Sequence, residues 1–200
     1  MPKVRRDRCD KYRFDDDKRR CVLAWGLMVN ALGTNYSLED LRSRFTETPK
    51  GKPYFDGISE CINVSHSGDK VICVLSDSEV GCDVETKTKD ALKIAGRFFA
   101  KEEFDFLRSI EDGTSQDREF LKLWTLKEAF VKAKGVGISY PFSSIVLMDK
   151  NGEYKSQVCD EKGDVYSFAN VDDNDGYSYS VCRKGSTFCN TCVYVGEIVY

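Results

Sequence analysis

The segment from Arg118 to Lys134 is the longest helical pattern in the chain, and it constrains the fold because neither of its sides is purely polar. One stripe of its helical wheel is apolar: Leu123, Leu126, Phe130 and Ala133. The opposite side combines apolar and charged residues: Leu121, Trp124, Glu128 and Lys132. Glu128 and Lys132 are i, i+4 neighbours and could be an ordinary surface pair. Because Glu128 and Lys132 share a side with Trp124, we expect them to line a cleft instead. Gly135 and Gly137 are predicted to end the helix.

Other patterns predict helices in the first part of the chain and mostly strands in the last third. Predicted helices run from Asp7 to Leu32, from Leu38 to Phe45 after the cap Ser37, from Asp90 to Phe99 and from Lys101 to Arg108. Predicted strands run from Ile62 into a polar turn at Gly68, from Lys70 to Leu75 and from Val80 to Glu85. Strand-like runs then alternate with the turns Asn151-Gly152, Lys162-Gly163 and Asp175-Gly176. The sequence therefore predicts an α+β protein.

Composition and charge exclude several classes of protein. No run of about 18 apolar residues exists, which argues against a membrane span, and the charged N-terminus is unlike a secretory signal. The net charge of -3 disfavours a globally basic nucleic-acid binder. The first twenty residues nevertheless contain nine Lys or Arg against five Asp, which indicates either a local anion site or a solvated helix face.

The nine cysteines predict free, reduced thiols in the cytoplasm. Cys189 and Cys192 form a CxxC, but a zinc site needs four ligands. Cys182 could supply a third ligand, while the single histidine, His66, is distant in sequence. A thioredoxin-like site would need a helix after the CxxC, where Val193 to Tyr200 predicts a strand. A cysteine-based redox or zinc protein remains an alternative.

Two carboxylates lie on one face of the strand from Val80 to Glu85, because Asp83 and Glu85 are separated by one residue. Such close like charges repel each other unless a cation lies between them, and hard oxygen ligands suit Mg²⁺ or Mn²⁺. The alternative is an exposed polar face of an edge strand. A third carboxylate from Glu128 would complete a divalent-ion site, with Lys132 neutralising a phosphate.

The lone histidine is expected near these carboxylates. If Lys70 to Leu75 and Val80 to Glu85 form a hairpin, Lys70 lies opposite Glu85, and His66 lies a few residues beyond that end. Serines flank His66 and a glycine follows, which is an open setting for a ring that binds phosphate or takes part in catalysis.

An ordered set of motifs gives the chain a family resemblance. The motifs are Gly51-Lys52-Pro53, Asn63-Val64-Ser65-His66-Ser67-Gly68, Gly81-Cys82-Asp83-Val84-Glu85, Arg97-Phe98-Phe99 with Glu102-Glu103, and Trp124 through Lys132 as W-x-x-K-E-A-x-x-K. Each is weak alone, but their order and spacing are specific. Over about Arg5 to Ser139, the chain resembles the Sfp-type 4′-phosphopantetheinyl transferases.

The resemblance implies a fold and a function. The fold is α+β, with two similar halves related by a pseudo-twofold axis and a ligand cleft between them. The boundary is expected near Asp77 and Ser78, which gives residues 1–77, with the basic helix and coenzyme A phosphate contacts, and residues 78–200, with the metal carboxylates and the long helix. The implied reaction transfers 4′-phosphopantetheine from coenzyme A to a serine of an apo carrier protein and releases 3′,5′-ADP.

The resemblance also implies roles for individual residues. The Mg²⁺ ligands, with Mn²⁺ as an alternative ion, are Asp83, Glu85 and Glu128. The residues expected to act in catalysis are Glu128, which helps to deprotonate the serine directly or through water, Lys132, which contacts the diphosphate, and His66. The residues expected to contact coenzyme A are Arg5, Arg8, Arg20, Lys52, Ser65, His66, Lys127 and Lys132. Cys21 occupies a position where many family members have threonine.

The implied partners are coenzyme A and an acyl, polyketide or peptidyl carrier protein. We expect a cytoplasmic monomer that binds neither nucleic acid nor membrane. Two alternatives use the same residues: a metal-dependent phosphodiesterase, and a non-catalytic module that binds coenzyme A or a carrier protein.

Overall fold

The structure is a computed structural model that describes residues 1–137, 139–149, 151–171 and 175–199. Its helices are α1 (Lys3–Lys11), α2 (Asp15–Leu32), α3 (Leu38–Arg44), α4 (Ala91–Phe98), α5 (Lys101–Ser109), α6 (Gly113–Lys134) and a short 3-10 helix (Phe142–Ser144). Its strands are β1 (Phe45–Glu47), β2 (Pro53–Phe55), β3 (Cys61–Ser67), β4 (Lys70–Ser76), β5 (Val80–Glu85), β6 (Gln157–Cys159), β7 (Val165–Val171), β8 (Ser178–Lys184) and β9 (Thr191–Glu197). The combination of helices with antiparallel sheets confirms the predicted α+β class.

The basic N-terminal segment forms two helices, so the prediction of one helix from Asp7 to Leu32 is wrong. Tyr12 ends α1 in an extended conformation, and Phe14, also extended, precedes α2. Three aspartates then occupy the first turn of α2, where the positive end of the helix dipole favours negative charge. This acidic run marks the start of a second helix.

The other helix ends follow the sequence. Ser37 caps α3 by accepting a hydrogen bond from the backbone N–H of Asp40 at 3.2 Å. Asp112 caps α6 by accepting from the backbone N–H of Ser115 at 2.7 Å. Gly135 ends α6 at a φ of 67°, a conformation that glycine adopts without steric cost. The predicted α3 is confirmed to within one residue, and the predicted end of α6 at Lys134 is confirmed, whereas α6 begins at Gly113 instead of Arg118.

The strand pairing differs from the predicted hairpin. The sheets have the orders β1-β2, β3-β4-β9 and β5-β8-β7-β6. Lys70 lies opposite Ser67 and Glu197, whereas Glu85 lies opposite Ser178. The prediction that β4 pairs with β5 is therefore wrong. The physical reason is the two-residue turn after Ser67, in which Gly68 has a φ of 55° and returns the chain directly beside β3.

The proposed division into residues 1–77 and 78–200 stays a prediction. The chain passes between two sheets near the expected boundary, because β4 ends at Ser76 and β5 begins at Val80. The last strand qualifies the division, since β9 pairs with β4 along its full length. If the two halves are taken as units, β9 belongs to the sheet of the first one.

The described residues contain no membrane-spanning helix and no disulfide. No described helix is both long and apolar enough to cross a bilayer. All nine cysteines are free, and Cys189 and Cys192 are exposed near the start of β9. The role of this CxxC stays open.

The packing of α6 on β5 depends on Gly81. A Cβ atom at this position would lie 2.1 Å from the carbonyl oxygen of Ala129 and 2.4 Å from the backbone nitrogen of Ala133. Only a residue without a side chain permits this approach, which brings Glu128 and Lys132 of α6 towards Asp83 and Glu85 of β5.

Gly81→Ala is expected to destabilise the protein by about 1–3 kcal/mol or more, because the helix must move away from the strand. Gly26→Ala is the matched control, since Gly26 is an exposed helical glycine with nothing within 4 Å of an added Cβ. The control should be stabilising by up to about 1 kcal/mol. Urea unfolding measures both, and equal stability of the two variants would contradict the close packing.

Candidate active site

A cleft of about 390 Å³ brings together most of the predicted site residues. The predicted residues that line it are Arg5, Arg8, Ser65, His66, Asp83, Glu85, Glu128 and Lys132. They come from α1, β3, β5 and α6, so their convergence is a property of the tertiary fold. A larger cavity of about 540 Å³ lies between α6 and β6, but it contains none of the predicted residues.

Side chains of β3 reach across to β5 at every second position. The three bonds are Cys82 N–H to Asn63 Oδ1 at 2.9 Å, Ser65 Oγ to Asp83 Oδ1 at 2.8 Å and Ser67 Oγ to Glu85 Oε2 at 2.8 Å. The alternation of a strand places these donors and acceptors on one side of β3. His66 thus lies near the carboxylates because β3 itself lies beside β5, and not through the predicted hairpin.

Asp83 and Lys132 form the central ion pair. Lys132 Nζ lies 2.6 Å from Asp83 Oδ1 and also donates to Ser65 Oγ at 2.9 Å. Burial is the largest single influence and would lower the pKa of Lys132, but Asp83, Cys82 and Glu128 together outweigh it and raise this pKa. Asp83 is 2% exposed, and its Oδ2 has no hydrogen-bond partner among the described residues. One buried carboxylate oxygen is therefore available to a ligand.

Glu85 and Glu128 add two further acidic groups. Burial raises the pKa of Glu85, and the charge of Asp83 raises it further. Burial also raises the pKa of Glu128, with Lys132 opposing this shift and Asp83 and Glu85 adding to it. Three carboxyl groups thus face one ammonium, which leaves excess negative charge that a divalent cation would neutralise.

The donor set fits Mg²⁺ or Mn²⁺ by its chemistry. All three side chains offer hard oxygen ligands, and Asp83 Oδ2 is buried without a partner. As the side chains lie, however, no group of three His, Cys, Asp or Glu residues within the described ranges is arranged to hold a metal ion. Lys132 and Ser65 instead donate to Asp83 Oδ1, so in this arrangement Oδ2 is the oxygen that Asp83 could offer to a cation.

The basic helix α1 supplies the opposite charge at the cleft. Arg5 is 5% exposed and donates from Nη2 to the carbonyl of Cys21 at 3.1 Å, while its Nε has no partner among the described residues. Arg8 forms an ion pair with Glu47. A buried, incompletely satisfied guanidinium is a donor that a phosphate oxygen could use.

His66 lines the cleft and is influenced by the charge of Arg20. Partial burial of the His66 ring, together with the positive charges of Arg20 and Lys132, lowers the pKa of His66 below its usual value. Arg20 does not line the cleft; it donates to Asp17 Oδ1 at 2.7 Å and to the carbonyl of Gly68. Its influence on the cleft is therefore electrostatic in this conformation.

Lys127 lies in the core, which corrects the prediction that it contacts coenzyme A. Its side chain is 0% exposed, its Nζ is 2.7 Å from Glu103 Oε2, and it donates to the carbonyls of Phe142 and Ile145. An ammonium has three donors, and each is used. Lys127 points away from the side of α6 on which Glu128 and Lys132 reach the cleft.

Lys52 also lies outside the cleft, although Gly51 and Pro53 on either side of it line that cleft. Its Nζ donates to backbone carbonyls instead. Lys52 lines a neighbouring cavity of about 270 Å³ together with Glu128 and Lys132, so its predicted contact with coenzyme A stays a prediction, although its ammonium group is occupied by carbonyls.

The site contains two further residues beyond those predicted from the sequence, Ser67 and Asn63. Ser67 donates to Glu85, and Asn63 binds the backbone of β5. Alternation along β3 predicts this, because Asn63 and Ser67 lie on the same face of the strand as Ser65.

Comparison with known proteins adds an independent finding. The model of the 4′-phosphopantetheinyl transferase superfamily matches residues 79–182. The 4′-phosphopantetheinyl transferase Sfp of Bacillus subtilis (strain 168) is 31% identical over 186 residues, covering 92% of this chain and 82% of its own length. The 4′-phosphopantetheinyl transferase psf-1 of Bacillus pumilus is 33% identical over 186 residues, covering 90% and 77%.

A solved structure, the holo-[acyl-carrier-protein] synthase of Thermotoga maritima, aligns with 17% identity and a TM-score of 0.42 over 55% of this chain and 64% of that one. At this TM-score, the structural similarity gives no support to an assignment of family or function.

Proposed function

The chain belongs to the 4′-phosphopantetheinyl transferase superfamily, and we propose from this that it transfers 4′-phosphopantetheine from coenzyme A to a serine of an apo carrier protein. The second product is 3′,5′-ADP. The observation that carries the proposal is the convergence of Asp83, Glu85, Glu128 and Lys132 in one cleft. The comparisons give no support to the phosphodiesterase or to the non-catalytic module.

The charges of the cleft suit coenzyme A. Its diphosphate and 3′-phosphate are anionic, and Arg5, Arg8 and Lys132 supply cations on an otherwise acidic protein. Lys132 lies among the carboxylates, so it is the group that we assign to the diphosphate. Arg5 and Arg8 lie on α1, so we assign them to the 3′-phosphate, together with Ser65 and His66. Arg20 acts on this phosphate through its charge.

Glu128 is the base that we assign to the carrier serine. No hydrogen bond to its carboxylate is found among the described residues, and burial raises its pKa, which strengthens it as a base. The serine Oγ forms a bond to the β-phosphorus of the diphosphate as the bond from that phosphorus to the oxygen of 3′,5′-ADP breaks. The serine proton passes to Glu128, directly or through one water. Alignment and electrostatics account for most of the rate enhancement in such transfers.

We assign Asp83, Glu85 and Glu128 as the ligands of Mg²⁺, or of Mn²⁺ in its place. When bound, the ion would neutralise charge on the phosphate oxygens and on the leaving group. Ser67 and Ser65 hold Glu85 and Asp83 in place through their hydroxyl groups.

The remaining properties are also proposals. We propose a cytoplasmic monomer whose partner is a carrier protein of fatty-acid, polyketide or peptide synthesis.

The test is to incubate the protein with coenzyme A, Mg²⁺ and a panel of apo carrier proteins, and to measure the intact mass of each carrier. We expect at least one carrier to gain the mass of one phosphopantetheine group. An unchanged mass for carriers of all three pathways would contradict the proposal.

His66 provides a spectroscopic prediction, because it is the only histidine in the chain and gives one set of ring signals. Without ligand, its NMR titration should give a pKa below 6.5, and saturating coenzyme A should raise that pKa, because a nearby phosphate favours the protonated ring. Dephospho-coenzyme A, which lacks the 3′-phosphate, should raise the pKa less. The same pKa with and without coenzyme A would remove His66 from the phosphate site.

A further inference from the structure

The ammonium group of Lys52 is held by three backbone carbonyls. Its Nζ lies 3.0 Å from the carbonyl oxygen of Val80, 2.8 Å from that of Lys132 and 3.2 Å from that of Ala133. An ammonium group has three N–H donors, so these three acceptors satisfy it. To bind a phosphate, Lys52 would have to give up at least one of these bonds.

The three acceptors belong to the two elements that carry the reacting groups. Lys132 and Ala133 lie in the last turn of α6, where a cation interacts favourably with the negative end of the helix dipole. Val80 is the first residue of β5. One side chain from the turn before β2 thus ties α6 to β5 beside the close contact at Gly81.

The hydrogen bonds of Lys52 connect it to the helix and the strand that carry the side chains assigned to the reaction. Lys132 provides both the carbonyl that Lys52 binds and the ammonium that contacts Asp83, while Glu128 lies one turn earlier on α6. β5 carries Asp83 and Glu85 after Val80. A shift of α6 along β5 would therefore move Glu128 and Lys132 relative to both carboxylates, and displacements of about 1 Å can cost about 100-fold in rate.

We propose that Lys52 is a positioning residue for the transferase reaction: it fixes the end of α6 on β5 and so sets the geometry of Glu128 and Lys132, without touching coenzyme A. The proposal rests on the transferase function proposed above. It replaces the ligand contact that the resemblance implied for Lys52. Lys52 acts on the rate of the chemical step and leaves donor affinity nearly unchanged.

The test compares Lys52→Met with Lys52→Arg, and uses Lys50→Met as the matched control. Lys50 lies on the same turn and also donates to a carbonyl, that of Val136, but this residue follows the end of α6. For Lys52→Met we expect kcat to fall by about 10- to 100-fold, while KM for coenzyme A and its Kd by calorimetry stay within about twofold. Lys52→Arg should recover part of kcat, and Lys50→Met should keep the kcat of the wild type.

Each other outcome overturns the inference. A raised KM and Kd with unchanged kcat would make Lys52 a ligand contact. If Lys52→Met has a lower melting temperature but an unchanged kcat, with kcat measured well below the melting temperature, Lys52 has only a structural role. If Lys52→Met does not fold, Lys52→Arg takes its place in the test. A reduced kcat with an unchanged Kd for coenzyme A in folded Lys52→Arg would support the positioning role. A wild-type kcat with a raised Kd would refute it. Failure of the wild type to modify any carrier would instead refute the proposed function.

Discussion

Replacing Glu128 with glutamine is expected to lower the rate of carrier modification by about 1,000-fold and to leave the fold intact. The amide has nearly the shape of the carboxylate, so the packing of α6 is retained, but it can neither accept the serine proton nor offer an anionic oxygen. Burial raises the pKa of Glu128 in the protein without a bound ion, which makes its carboxylate a stronger base than an exposed one. The rate is measured as carrier mass against time at saturating coenzyme A.

The control for this variant is Glu111→Gln, an exposed carboxylate that lies outside the cleft. It removes the same charge and should keep the rate of the wild type. Circular dichroism and thermal unfolding check that both variants fold. A rate for Glu128→Gln within threefold of the control would contradict both roles assigned to this carboxylate.

Lys132→Met is expected to abolish transfer and to destabilise the protein by about 3–5 kcal/mol, because it leaves the Asp83 charge buried without its partner. The ion pair is 2.6 Å long, Asp83 is 2% exposed, and one of its oxygens already has no partner among the described residues. Urea unfolding measures the free energy of unfolding.

The double variant Asp83→Asn with Lys132→Met separates the causes of this loss. It removes both charges, so it should be less destabilised than Lys132→Met alone, although it stays inactive. Equal stability of the single and double variants would show that the buried charge of Asp83 is not the cause. Unchanged stability of Lys132→Met would contradict the ion pair itself.

The sequence was sufficient for features that local chemistry determines. The cap at Ser37, the end of α6 at Gly135 and the two-sided character of α6 all follow from residues within one or two turns of each other. The carboxylates of β5 were found by their alternation along one strand. Such short-range patterns depend little on the rest of the fold.

Strand pairing could not be predicted in the same way. The runs Lys70 to Leu75 and Val80 to Glu85 are both compatible with a hairpin, but each finds a different partner, β3 and β8 respectively. The choice depends on the Gly68 turn and on contacts between residues about 100 positions apart, which no local pattern contains. The break between α1 and α2 is a local feature that the sequence does mark, by the run of three aspartates at the start of α2.

The directions of three lysine side chains also could not be predicted from the sequence. Lys52, Lys127 and Lys132 all belong to motifs of the family, yet Lys132 alone of these three lines the cleft. Lys127 neutralises the buried Glu103, and Lys52 binds carbonyls at the end of α6. A motif identifies a residue type at a position, whereas the direction of its side chain depends on packing that only the three-dimensional structure describes.

We propose that Asp83, Glu85 and Glu128, distant along the chain, together bind one divalent cation at the diphosphate of coenzyme A. Electron paramagnetic resonance of added Mn²⁺, with coenzyme A present, tests it most directly. We predict one bound Mn²⁺ per wild-type chain, and affinity at least about tenfold weaker in Asp83→Asn, Glu85→Gln and Glu128→Gln. Mn²⁺ affinity that none of these substitutions changes would contradict the claim.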